Sequence, residues 1–201
     1  MAEPDHVMRP RVYAELRASA RAGLDPNAIA ATAANYDVVD GNLQAKLYDV
    51  PNSVRLLCTA IEGPEGGDVL RDAAADVCAK FVEALPPGFR TYRNPPTSYH
   101  STVFHTGNPF ELRPKKKKEV QEELATCAAL VGATQPMRVE VDSVVLATSG
   151  VLLVLLYEQG NGASPVDDLR VRCRAAFPSA PKKKATYVMH VSLCRVETAP
   201  A

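Results

Sequence analysis

From residue 51 onward the apolar positions fall into two rhythms. Residues 54–61 (VRLLCTAI) form a short, nearly continuous apolar run, the pattern of a strand covered on both faces. Residues 68–85 switch to helical spacing, with Val69, Ala73, Val77, Phe81 and Leu85 along one stripe, until Pro86, Pro87 and Gly88 stop them. A loop is expected over 89–97, then a strand over 99–105 closed by Gly107, Asn108 and Pro109. A helix follows over 114–132, then strands over 137–147 and 151–157 whose short junction at Ser149-Gly150 predicts a hairpin. Ser164-Pro165 opens a third helix with Val166, Leu169, Cys173 and Phe177 on one face, and a last strand covers 185–197. This order repeats a mixed unit twice. It predicts an α+β fold of two small antiparallel sheets with helices on their outer faces.

Residues 1–50 read differently, as an alanine-rich, helical N-terminal leader. Helical stretches are expected over 11–22 and from Asp25-Pro26, with Tyr36, Leu43, Leu47 and Tyr48 able to pack on the body. No chemistry is assigned to this segment. Residues 51–201 are expected to make a single domain.

Composition narrows the partners. The 23 basic and 23 acidic residues cancel, so no global field draws in duplex DNA. A small anion or a short oligonucleotide end fits better. The five cysteines (58, 78, 127, 173 and 194) are odd in number, lack CxxC spacing and sit in apolar segments, as buried reduced thiols do. Cys194 stands out because it follows His190 by four residues. The longest apolar run, 151–157, is too short for a bilayer, and Glu3 and Asp5 precede no signal-like apolar stretch. A cytoplasmic protein with no membrane partner is expected, with nucleus and organelle left open, and a monomer is the expected state.

Two of the four histidines stand in matching sequence, His100-Ser-Thr102-Val and His190-Val-Ser192-Leu. With 20 Ser and Thr in the chain, about one His in ten carries a hydroxyl two places on, and two of four do so roughly 5% of the time. In a strand, residues i and i+2 share a face about 7 Å apart, so each His projects beside its hydroxyl. Cleavage of a phosphodiester needs a base for the nucleophile and an acid for the departing oxygen. Imidazole, with an ordinary pKa of about 6.5, serves as either. The Thr102 and Ser192 hydroxyls can donate to the non-bridging oxygens where charge gathers.

The pair of motifs, 90 residues apart with one in each half, resembles the signature of the 2H phosphoesterase superfamily. That superfamily includes LigT-like RNA ligases, plant cyclic phosphodiesterases, myelin-type cyclic nucleotide phosphodiesterases and the U6 RNA trimming enzyme. The resemblance covers residues 52–197, and 99–105 (YHSTVFH) is similar to a plant-type branch. It implies a bilobal fold with pseudo-twofold symmetry about a cleft, and catalysis by His100 with Thr102 and His190 with Ser192. The implied activity is metal-independent hydrolysis of 2′,3′-cyclic phosphates on nucleotides or RNA 3′ ends, without a cofactor. The alternatives are 2′–5′ cleavage or ligation at the same site, or a nucleotide-binding domain without turnover. Which histidine is the base stays open.

The remaining candidates are weaker. His105, at an odd offset from His100, is expected to face away from the site, as are Tyr99, Tyr187 and Arg195 at odd offsets from the motif histidines; His6 belongs to the leader. The Cys and His spacings match no compact zinc set, so no metal is expected. The lysine runs 115–118 and 182–184 read as solvated surface. The second run lies close enough to His190 for Lys184 to attract phosphate. Tyr157 and Tyr92 are the candidates for stacking a base. No Gly-rich phosphate loop is present.

Overall fold

A computed structural model describes residues 5–107, 112–159, 164–181 and 188–198 of the chain. Among these, the helices are α1 (Asp5–Ala20), α2 (Pro26–Ala33), α3 (Gly67–Glu83), α4 (Lys117–Gly132) and α5 (Pro165–Ala176). The strands are β1 (Tyr36–Val39), β2 (Asn42–Ala45), β3 (Arg55–Ala60), β4 (Phe89–Arg93), β5 (His100–Gly107), β6 (Val139–Leu146), β7 (Val151–Glu158) and β8 (Met189–Thr198). None of the described helices is long and apolar enough to cross a membrane.

Local chemistry accounts for the boundaries. The Ser164 side chain accepts from the Asp167 N–H at 3.1 Å, capping α5 just ahead of Pro165. Gly150, at φ +84°, turns the β6–β7 hairpin, and a Cβ there would stand 2.2 Å from the Val196 carbonyl oxygen. Asp40 and Gly41 both take positive φ, the geometry of a two-residue turn joining β1 to β2.

The fold is α+β with two antiparallel sheets, and their composition differs from the expected division by halves. Strands from both halves share one six-stranded sheet in the order β3-β5-β8-β7-β6, with β4 also paired to β8. The second sheet is the two-stranded β1–β2 hairpin of the leader. β4 lies in the segment expected to be a loop. Its residues FRTYR carry no clean alternation, and they are extended because they pair with the second half of β8 from Arg93↔Cys194 to Phe89↔Thr198.

β8 is the hub. It pairs with β7 along most of its length and with β4 over its second half. Among the described residues its pairing with β5 is limited to Ser101↔Val191. The β3–β5 ribbon therefore meets the rest of the sheet at a narrow seam, and both motifs sit on that seam.

One face of the sheet carries the main core. Val103, Phe104, Leu152, Val154, Leu156, Val191 and Leu193 pack there under Cys78 of α3 and Leu169 and Cys173 of α5. The opposite face is covered in part by the leader. Tyr13 and Leu16 of α1 pack on Val145, Leu153 and Leu155. The leader is thus fastened to the sheet, and its α1 seals the β6–β7 side of the face that carries the motifs.

Candidate active site

Strand alternation splits the motif residues as expected. Tyr99, Ser101 and Val103 are buried on the core side of β5, as are Met189, Val191 and Leu193 of β8. His100, Thr102, His190 and Ser192 are half-buried and turn to the other face. Because β5 and β8 run antiparallel through Ser101↔Val191, His100 lies on the Ser192 side of that pair and Thr102 on the His190 side. Each histidine is thereby set beside the hydroxyl of the other motif, an inverted and symmetric arrangement of all four groups.

His100 is oriented by the 3₁₀ turn Pro96–Ser98 that precedes β5. Its Nδ1 lies 2.8 Å from the Ser98 carbonyl oxygen, which can only accept, so Nδ1 carries the proton. Nε2 is then the basic nitrogen of the neutral ring. On β8, Asn94 fixes the backbone beside Ser192. Its Nδ2 donates to the Ser192 carbonyl at 2.8 Å and its N–H to the Leu193 carbonyl at 2.9 Å.

Both motif strands break step immediately after the motif, and this corrects two expectations. In β8 the register shifts between Leu152↔Cys194 and Leu153↔Ser192, so Leu193 is an extra residue and both Leu193 and Cys194 enter the core. In β5 the shift between Leu57↔Phe104 and Cys58↔Thr102 makes Val103 the extra residue, again with two consecutive core side chains. Beyond each bulge the phase is reversed. Arg195 and His105, expected to face away at an odd offset, return to the motif face, while Cys194 turns from it.

The partners confirm the phase. Arg195 stands opposite Val151, which packs with Leu153, Leu155 and Tyr13, and His105 stands opposite Leu56, in line with Cys58 and Ala60 of β3. The site face thus presents two rows, His100–Thr102–His105 and His190–Ser192–Arg195.

Arg195 is 3% exposed. Its Nη2 donates to the Ile29 carbonyl at 3.0 Å, its guanidinium lies 5.2 Å from the Tyr36 ring centroid, and its Nε has no partner. Among the described residues no carboxylate pairs with it. A buried, uncompensated guanidinium raises the positive potential beside the motifs. Burial pushes the Tyr36 phenol up, against the opposing pull of Arg195.

The candidate binding residues fare differently. Tyr92 faces Arg195 across β4–β8, and its ring centroid lies 5.5 Å from that of Tyr36, so the leader hairpin and β4 meet beside the Ser192 end of the site. Tyr157 shares the face of Leu155, but its hydroxyl donates to Glu140 of β6, well to the side. Lys184 lies outside the described residues. Sequence reasoning missed Arg195, His105, Asn94 and Tyr36. The doublets Val103-Phe104 and Leu193-Cys194 were the available signal, since two adjacent apolar residues in a half-open strand mark a bulge.

Cys194 faces Cys78 in the core, and a hydrogen bond shared with Cys194 lowers the Cys78 thiol to about 7. That same bond, together with burial, pushes Cys194 up. Burial raises Tyr99 beside them to about 12. Among the described residues no three His, Cys, Asp or Glu side chains gather as metal ligands.

No protein-family model matches the chain, and no curated protein matches it. Two solved structures are similar. The protein TT0787 of Thermus thermophilus is 19% identical, over 73% of this chain and 76% of that one, with a TM-score of 0.48. E. coli LigT in apo form is 18% identical, over 75% of this chain and 76% of that one, with a TM-score of 0.46.

Proposed function

We propose that this protein is a phosphodiesterase of the 2H type that opens 2′,3′-cyclic phosphates of nucleotides or RNA 3′ ends without a metal. The observation that carries the reading is the inverted pair of His-x-Ser/Thr motifs on one face of neighbouring antiparallel strands. We read the narrow β5–β8 seam as the floor of a cleft, with the two halves of the chain on either side.

In this reading the cyclic phosphate sits over the seam. One imidazole takes a proton from water as its oxygen attacks phosphorus. The bond from phosphorus to one ribose oxygen breaks, and the imidazolium of the other motif protonates that oxygen. The Nδ1–H bond of His100 favours it as the base that uses Nε2. Thr102 and Ser192 hydroxyls donate to the non-bridging oxygens, and Arg195 adds positive charge as negative charge concentrates there. Tyr92 and Tyr36 offer aromatic surface for the base.

The test is phosphorus NMR with a panel of 2′,3′-cyclic nucleotides in excess EDTA, run on wild type, His100→Ala and His190→Ala. Turnover by wild type, with each variant slower by about 10²- to 10⁴-fold, is expected. If wild type leaves every cyclic nucleotide intact, that substrate class is wrong, and short RNA and 2′–5′ linkages become the next candidates.

A further inference from the structure

The backbone that carries His190 is held by the leader. Tyr13 of α1 is 1% exposed and reaches across the β7–β8 ladder at the Leu156–Met189 pair. Its hydroxyl accepts from the Met189 N–H at 2.9 Å and donates to the Leu156 carbonyl at 2.5 Å, with the Met189 carbonyl at 2.9 Å as the alternative acceptor. A single phenol therefore ties together the two strands at the residue immediately before His190. The same side chain packs in one cluster with Leu155, the cross-strand neighbour of His190.

A second side chain grips the preceding residue. Arg170 of α5 donates from Nη2 to the Val188 carbonyl at 3.2 Å and pairs with Asp167 at 3.3 Å. Asp167 also receives Arg9 of α1 at 2.8 Å. Arg9 is 4% exposed and lies 3.6 Å from Glu158 at the end of β7. The two residues leading into His190 are thus clamped from α1 and α5, and the two grips are joined through Asp167. Comparable ties at His100 come from its own 3₁₀ turn, not from the leader.

We propose that Tyr13 is a positioning residue for His190, which makes α1 an integral part of the active site. The inference rests on the reading of His190 as one of the acid–base pair. Proton transfer is steep in geometry, and a displacement of about 1 Å can cost about 10²-fold. Tyr13→Phe keeps the ring in its cluster but leaves the Met189 N–H and the Leu156 carbonyl without the hydroxyl.

The experiment measures kcat and KM on a 2′,3′-cyclic nucleotide and the imidazole NMR signals of His100 and His190, in wild type and Tyr13→Phe. A loss of roughly tenfold in kcat at nearly constant KM is expected, as one buried hydrogen bond would give. The His190 signals should shift or broaden while those of His100 stay. If Tyr13→Phe does not fold, Arg170→Lys, which withdraws the grip on Val188 together with the Nε donation to the Val103 carbonyl of β5 at 3.2 Å, is expected to lower kcat and move the His190 signals as well. A lowered melting temperature with kcat and the His190 signals unmoved, in whichever variant folds, overturns the inference. If wild type turns over no cyclic phosphate, the proposed reaction fails, and the His190 signals alone still decide the clamp.

Discussion

Arg195 shares one face of β8 with His190 although it stands at an odd offset, five positions further on, because Leu193 is an extra residue in the ladder between them. On β7, the span from Ser192 to Arg195 corresponds only to Leu153 and Val151, a two-residue step. The guanidinium therefore continues the row begun by His190 and Ser192, one repeat of about 7 Å further on. It is buried, anchored by one carbonyl and one aromatic ring, and unpaired by any described carboxylate.

Such a group is well suited to meet the charge of a phosphate. Arg195→Met is expected to lower kcat/KM by about 10- to 150-fold, the equivalent of a charge-assisted hydrogen bond of about 1.5–3 kcal/mol. Arg195→Lys, which keeps the charge and loses the planar fork, should fall between wild type and Met. Because Nη2 also holds the Ile29 carbonyl, melting temperatures are measured beside the kinetics. Lys activity no better than Met would show that charge is not what Arg195 supplies.

The open side of the site face offers a chemical probe. Cys58 of β3 is exposed and stands opposite Thr102, whereas Cys78, Cys173 and Cys194 are buried. Burial at its root pushes the Cys58 thiol up, so labelling is best run above the ordinary thiol pKa of about 8.5. N-ethylmaleimide should modify Cys58 first and reduce kcat/KM by about tenfold or more, by crowding Thr102. Cys58→Ser should retain activity and resist the reagent. Full activity after stoichiometric labelling, mapped by mass spectrometry, would place the substrate away from this part of the face.

What could be read in the sequence was what depends on local pattern. The two motifs, the helices α3, α4 and α5 and the β6–β7 hairpin follow from periodicity, Pro and Gly alone. β4 was not legible, since Phe89–Arg93 becomes a strand only against the second half of β8, a tertiary pairing. The leader hairpin was legible and missed: Asp40-Gly41 is a turn signal with Val38, Val39 and Leu43 around it. Strict alternation failed for His105, Cys194 and Arg195 because it assumes unbroken register. The role of α1 was hidden for another reason, as nothing in the sequence around Tyr13 says that its hydroxyl ends between β7 and β8.

Away from the site, Glu123 of α4 governs how the chain responds to acid. It is 8% exposed and accepts from Arg55 at 2.9 Å, from Lys115 at 2.5 Å and from the Thr106 hydroxyl. Burial by itself would raise its carboxyl, but the hydrogen bonds from Lys115, Thr106 and Arg55 outweigh this and hold it below the ordinary range. A carboxyl depressed in the folded state binds its proton more readily when unfolded. Its stabilisation is therefore complete above the unfolded value, about 4.3, and is lost as the pH falls through the lower folded value. Glu123→Gln leaves Arg55 buried without its anion and should cost about 3 kcal/mol at neutral pH, near the low end for a broken buried pair because Lys115 reaches water. Urea melts of both proteins from neutral to acid pH should show this gap narrowing as Glu123 becomes protonated in wild type. A gap that stays constant across the acid range would mean that the loss comes from packing and not from the charge.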